Sequence, residues 1–192
     1  MGTISIEHGD HLYWLGRYTE RVYTTLKALQ KLYDGMIDRK NDYTEYLSCF
    51  GLENIYKDGR DFMRSFLYDR MNINSVSYSL KCAYDNGIVL REEISTSALS
   101  FLQMGKDTLA KSERSGNTRL SLLPLEDILF GFWGCISDSV YDDEIKNIIW
   151  CGKTVERLDL YLRMNYPYED VKREFVRLSK NLGNIPENTN MR

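Results

Sequence analysis

The sequence predicts an all-α fold, a single-domain antiparallel helical bundle, and three observations carry that reading. Prolines occur only at positions 124, 167 and 186, leaving long stretches free of the residue that breaks an α-helix interior. Apolar residues recur at three- and four-residue steps through most of the chain, the period of a buried helix face. No segment alternates apolar and polar residues as a half-buried strand would. Helices of such length joined by short turns pack as antiparallel neighbours.

The elements follow in order. From Asp10 to Tyr33, the residues Leu12, Leu15, Val22, Leu26, Leu29 and Leu32 share one broad face; Asp10 is the expected N-cap and Gly35 the expected stop. A short helix is expected over 40–50 and another over 60–69, where Phe62, Met63 and Phe66 supply the apolar side. Asn72 or Asn74 is expected to cap a helix running to Tyr84, and Asp85-Asn86-Gly87 to interrupt it before a helix over 88–111. The stretch 112–121, SERSGNTRLS, reads as the one clear loop. A helix over 122–139 follows, with Pro124 in its first turn. A long one over 142–166 ends at Pro167, and the last covers 169–181. Residues 1–183 form the helical domain, and 184–192 a polar C-terminal tail expected to fray.

Length and charge bound the function. A chain of 192 residues buries roughly two-thirds of its unfolded surface and needs no staples. The net charge is −3, with basic residues dispersed, which argues against a nucleic-acid groove. No stretch approaches the ~20 apolar residues of a membrane span. The first residues lack the basic and apolar regions of a secretory leader. Cys49, Cys82, Cys135 and Cys151 have no ligand spacing. Free thiols and a cytoplasmic protein are expected.

One short signature occurs twice: Trp14-Leu15-Gly16-Arg17-Tyr18-Thr19-Glu20-Arg21 and Trp150-Cys151-Gly152-Lys153-Thr154-Val155-Glu156-Arg157. Positions 14 and 150, 16 and 152, 20 and 156, and 21 and 157 are each 136 apart, the spacing of an internal repeat. On a helix, positions i, i+3 and i+4 share a face, so Arg17, Glu20 and Arg21 cluster, as do Lys153, Glu156 and Arg157. Gly16 and Gly152 each cost about 1 kcal/mol of helix propensity, which points to a close approach by a helix or a ligand. Two readings fit. In one, the helices pack antiparallel and exchange ion pairs, Glu20 with Arg157 and Glu156 with Arg21. In the other, they border a two-sided basic cleft whose arginines grip an anionic or peptide-like ligand.

These segments resemble the α-E family, a helical domain named for its Glu-Arg motif. LYWLGRYTERV (12–22) is similar to the family's opening helix. IWCGKTVERLDL (149–160) is similar to its later Gly-Arg-x-x-Glu-Arg-x-Asp helix, Asp159 included. AYDNGIVLREEIS (83–95) resembles the central motif through Asn86, Arg91 and Ser95. The chain departs from the pattern in being short, in Lys153 where the family favours Arg, and in Gly87 where it favours Ala. The resemblance implies a partner context: an ATP-grasp amide ligase or a transglutaminase-like peptidase, and the making or processing of small peptides or peptide tags.

Other constellations point less far. Glu7, His8, Asp10 and His11 offer metal-ligand types without a distant third His or Cys. Ser95 lies one turn from Arg91 without a histidine base, and Arg91 is expected to join the Glu-Arg cluster, since a buried charge needs a partner. Glu92-Glu93 reads as a solvated face, and Asp142-Asp143-Glu144 as a helix start suited to the dipole. No P-loop, dinucleotide fingerprint or nucleophile elbow is present, so no cofactor is expected and ATP chemistry would belong to a partner. The candidate ligand- or partner-binding residues are Trp14, Arg17, Glu20, Arg21, Arg91, Ser95, Trp150, Lys153, Glu156, Arg157 and Asp159. The expectation is a non-enzymatic binding or accessory subunit. The alternatives are an enzyme on amide or peptide substrates using the Glu/Arg cluster, and a structural homo-oligomer whose polar core fixes register.

Overall fold

The computed structural model describes residues 4–37, 42–116 and 118–185, and throughout them the ordered elements are α-helices. They are α1 (Ile6–Ile37), α2 (Tyr43–Cys49), α3 (Gly59–Tyr68), α4 (Val76–Val89), α5 (Thr96–Ser115), α6 (Thr118–Ser139), α7 (Asp143–Arg163) and α8 (Tyr168–Gly183). No helix of the described residues is long and apolar enough to cross a membrane.

The boundaries differ from expectation where short polar side chains decide them. Asp10 lies inside α1, because Ser5 starts the helix a turn earlier: its hydroxyl accepts the His8 N–H at 3.2 Å. Gly35 is helical rather than a stop. Ser75, not Asn72 or Asn74, caps α4. Its buried hydroxyl accepts the Tyr78 N–H at 2.9 Å and donates to the Asp69 carbonyl at 2.6 Å. Asn72 is occupied by Asn74 N and the Ser65 hydroxyl. Asp85-Asn86-Gly87 does not interrupt α4; the break falls after Leu90, and Ser95 caps α5 by accepting the Ala98 N–H. The expected loop over 112–121 shrinks, since α5 runs to Ser115, Gly116 closes it with φ +67°, and α6 resumes at Thr118. Pro124 therefore sits inside α6, where one turn forgoes its backbone hydrogen bond. Asp42 and Asp142 cap α2 and α7. Residues 40–41 of the expected second helix, 117 of the loop and 186–192 of the tail lie outside the described residues.

The long helix α1 is the axle. Leu12, Leu15, Val22, Leu26 and Leu29 along it are fully buried, against Phe62 and Phe66 of α3, Leu80 and Ala83 of α4, and Ile148 and Ile149 of α7. Truncating one such leucine to alanine costs about 2–5 kcal/mol. The α4/α5 and α5/α6 neighbours pair antiparallel: Gly105 faces Leu125 and Gly131 faces Phe101 between α5 and α6, while Gly87 faces Leu99 and Leu102 between α4 and α5. The α1/α7 pair departs from the expected antiparallel packing. Residue numbers rise together along the two helices, Gly16 beside Ile149 and Lys153, Glu20 beside Arg157. They run parallel because the chain crosses the bundle between them.

Candidate functional site

The site begins at a point where two backbones touch. A Cβ built on Gly16 would lie 2.1 Å from the Ile149 carbonyl oxygen and 3.0 Å from Lys153 N. One built on Gly152 would lie 2.1 Å from the Tyr13 carbonyl oxygen and 3.0 Å from Arg17 N. Ile149 and Lys153 stand 136 positions beyond Tyr13 and Arg17, so the crossing maps onto itself by a two-fold rotation. Only glycine admits that approach, and the helix-propensity cost of both positions is explained.

One turn further on, the seam becomes polar. Glu156, 7% exposed in its side chain, accepts Arg17 Nε at 2.6 Å, Arg21 Nε at 2.6 Å and Arg21 Nη2 at 2.8 Å. The Arg21 contact is a two-point fork, the strongest geometry such a pair adopts. Arg17 also donates to the Tyr13 hydroxyl and lies over the rings of Tyr13 and Trp14. Across the two-fold, Glu20 is fully buried, and its Oε1 accepts Arg157 Nε at 2.8 Å and Nη2 at 2.6 Å. Its Oε2 has no hydrogen-bond partner among the described residues.

That asymmetry traces to Lys153. Arg17, its counterpart, bonds the second oxygen of Glu156. The Lys153 ammonium instead rests over the indoles of Trp133, 3.8 Å from the centroid, and Trp150, 4.4 Å. The two rings stack at 5.2 Å. Lys153 makes no ion pair among the described residues. Burial, helped by Arg157 and Arg177, pushes its pKa down to about 8 against the pull of Glu20 and Glu174. Burial likewise raises the Glu20 carboxyl above the ordinary glutamate value, outweighing Arg157 and Lys153.

α8 closes this side with Glu174, 5% exposed, which accepts Arg177 at 2.6 Å and lies 3.7 Å from Arg157. Glu174 and Trp133 were not among the sequence candidates. Glu174 stands about a quarter turn round the last helix from Tyr168, Phe175 and Leu182, and the spacing gave no signal of its burial. Trp133 carried none either.

Of the remaining candidates, Trp14 is 38% exposed on the rim, packed on Tyr13 and Tyr18. Asp159 pairs with Arg163 at 3.0 Å. Arg91 does not join the cluster. It lies on the turn after α4, 69% exposed, paired with Glu92 at 3.1 Å. Ser95 is an N-cap, also apart from the seam. The central motif meets the start of α1 instead. Asn86 bonds His11 at 2.7 Å, and Glu93 bonds His8 at 2.9 Å. The two histidines are thus engaged separately, and no group of three potential ligands gathers among the described residues.

Past the ion pairs the seam opens between α1, α2 and α7. A groove of ≈ 900 Å³ is bordered by Tyr23, Lys27, Lys31, Arg157, Tyr161 and Tyr166, with Asp34 and Glu45 at its margin. A smaller cavity of ≈ 200 Å³, bordered by Arg21, Glu156, Asp159 and Arg163, shares Thr24, Tyr46 and Leu160 with it. Arg157 and Arg21 are each locked from behind by a carboxylate and present a side to these spaces. Tyr161 and Tyr166 stack with centroids 4.3 Å apart, forming a flat wall.

Comparison with known proteins places this arrangement in a family. No curated protein and no solved structure matches the chain. The model of one family, Alpha-E, described as a predicted alpha-helical domain with a conserved ER motif, matches residues 8–177. The span takes in both Glu-Arg pairs that lock α1 to α7, and the chain belongs to the Alpha-E family.

Proposed function

We propose that this chain is a cytoplasmic binding or accessory subunit that holds a short peptide-like ligand for an ATP-grasp amide ligase and/or a transglutaminase-like peptidase, in peptide synthesis or modification. The observation that carries the reading is the ≈ 900 Å³ groove beside Arg157, a volume in the range of small-ligand sites. Its four tyrosines, 23, 46, 161 and 166, offer ring faces and hydroxyls. Lys31 and Arg157 offer cations, and Asp34 and Glu45 anions. Such a lining suits a ligand with an apolar body and both charges, which is the chemistry of a short peptide. The Glu-Arg cluster supports a binding role over a catalytic one. Both oxygens of Glu156 are engaged, and Glu20 has no exposure to reach a substrate. A general base must come within hydrogen-bond reach of the proton it takes.

Calorimetry with tri-alanine tests the ligand claim. Binding with a Kd between micromolar and millimolar is expected, weaker for the C-terminal amide and for Lys31→Glu. Absence of heat at millimolar peptide refutes it. Co-elution with an ATP-grasp ligase or a transglutaminase-like protein at micromolar concentrations tests the partner claim, and separate elution counts against it.

A further inference from the structure

The two-fold that relates the halves of the α1/α7 seam also relates the two spaces beside it. Arg21, Thr25, Asp159 and Arg163 border the ≈ 200 Å³ cavity. Arg157, Tyr161, Tyr23 and Lys27, each 136 positions from its counterpart, border the groove. Thr24 and Leu160, themselves 136 apart, border both. The two faces are thus counterparts of different chemistry. Where the groove has two tyrosines, the cavity has a threonine and an aspartate, and both of its cations are arginines.

The cavity face carries more hydrogen-bond donors than its own acceptors take up. Arg21 gives Nε and Nη2 to Glu156, and Arg163 gives Nε to both oxygens of Asp159. Arg21 Nη1, both Nη groups of Arg163, and the side-chain amide of Asn74 on the same wall make no hydrogen bond among the described residues. Arg17 shares Glu156 with Arg21, so three guanidinium charges meet two carboxylates and one positive charge is left over. Phe50, Leu52 and Phe66 line much of the remaining wall, and apolar walls strengthen charge interactions beside them.

We infer that this cavity is an oxyanion site that takes a phosphate or a small carboxylate between Arg21 and Arg163. The guanidinium fork matches the paired oxygens of either group. At ≈ 200 Å³ the cavity falls below the range of sites for larger ligands, so a compact anion fits and a peptide chain does not. The site is separate from the groove and stands whether or not the groove binds peptide.

Backbone amide shifts recorded with inorganic phosphate, and separately with acetate, at constant ionic strength test it. Saturable shifts at Arg21, Asn74 and Arg163 are expected for at least one anion, with a Kd on the order of millimolar. Tighter binding of phosphate marks a phosphoryl ligand, and tighter binding of acetate a carboxylate. Arg163→Gln is expected to weaken binding roughly tenfold, the worth of a charged hydrogen bond. Asp159→Asn is expected to tighten it several-fold by releasing Arg163 Nε, which a purely structural role for the pair would not do. Lys27→Gln, the counterpart on the groove face, is expected to leave it unchanged. Arg163 and Asp159 are 45% and 41% exposed, so the fold persists by circular dichroism in both variants. The proposal is overturned if neither anion saturates by about 20 mM, if Arg163→Gln leaves the Kd unchanged, if Asp159→Asn fails to tighten it, or if Lys27→Gln weakens it equally.

Discussion

Gly16→Ala sets two opposed effects against each other, and the structure says which wins. In an unencumbered helix the change gains about 1 kcal/mol. Here the new methyl would sit 2.1 Å from the Ile149 carbonyl oxygen, where ordinary contact begins near 3.4 Å. Relief requires α1 and α7 to part by about 1.3 Å, the difference of those values, because the obstacle is backbone and no rotamer can step aside. The ion pairs one turn away, at 2.6–2.8 Å, would open to about 4 Å, beyond hydrogen-bonding range. Overpacking and a broken buried pair together cost roughly 3–5 kcal/mol net. In a chain of this length that lowers Tm by roughly 6–20 °C. Differential scanning calorimetry reads it directly. Gly134→Ala is the control, since among the described residues nothing beyond its own helix turn lies within 4 Å of a Cβ built there; it is expected to raise Tm by about 2–4 °C. If Gly16→Ala matched Gly134→Ala, the close crossing would be refuted.

Lys153→Arg is expected to stabilise the fold by about 1–2 kcal/mol, because a guanidinium there reaches the unpartnered Oε2 of Glu20 as Arg17 reaches Glu156; a lower Tm would contradict this. The same lysine gives the wild type an alkaline signature. Its pKa is down to about 8 in the fold against 10.5 for the free side chain, so the unfolded chain binds more protons between those values. Stability from this group therefore rises with pH across that window, by roughly 2 kcal/mol between pH 7.5 and 9.5. Urea titrations of wild type minus Lys153→Arg isolate it from Cys151, whose thiol burial pushes up to about 11 and which works in the opposite direction. A pH-independent difference would remove Lys153 as the cause. Glu156→Gln is expected to cost about 3–5 kcal/mol, since Arg17 and Arg21 both lose their anion. Glu20→Gln should cost less, about 1–2 kcal/mol, because Arg157 keeps Glu174 and a desolvated charge is removed. The reverse order in thermal unfolding would refute the assigned pairing.

Much of this was legible in the residues. The apolar spacing of Leu12 to Leu32 located α1 and its buried face, and the two glycines announced a close approach before any partner was known. The pairing of Glu20 with Arg157 and Glu156 with Arg21 was one of two readings the spacing allowed, since both sets occupy one helix face. Direction did not follow, because parallel and antiparallel helices can present the same residues to one another. Caps were misplaced wherever several short polar residues compete locally: Ser5 against Asp10, Ser75 against Asn72 and Asn74. At Ser75 the burial of the hydroxyl decides, which is a tertiary fact, whereas Ser5 is exposed. Arg91 was misassigned for a related reason. A charged residue in a motif need not be buried, and the turn at Leu90 turns this one outward. The groove was invisible to sequence reading, because its lining comes from three helices whose juxtaposition no periodicity encodes.

The central claim is that the Glu-Arg seam locks the helices while the groove beside it binds the ligand. Backbone amide chemical shifts recorded during a tri-alanine titration test it most directly. The account predicts saturable shifts at Lys31, Arg157, Tyr161 and Tyr166, with Trp14 and Arg17 unmoved. Shifts centred on Trp14, Arg17 and Tyr18, or none at millimolar peptide, would contradict it.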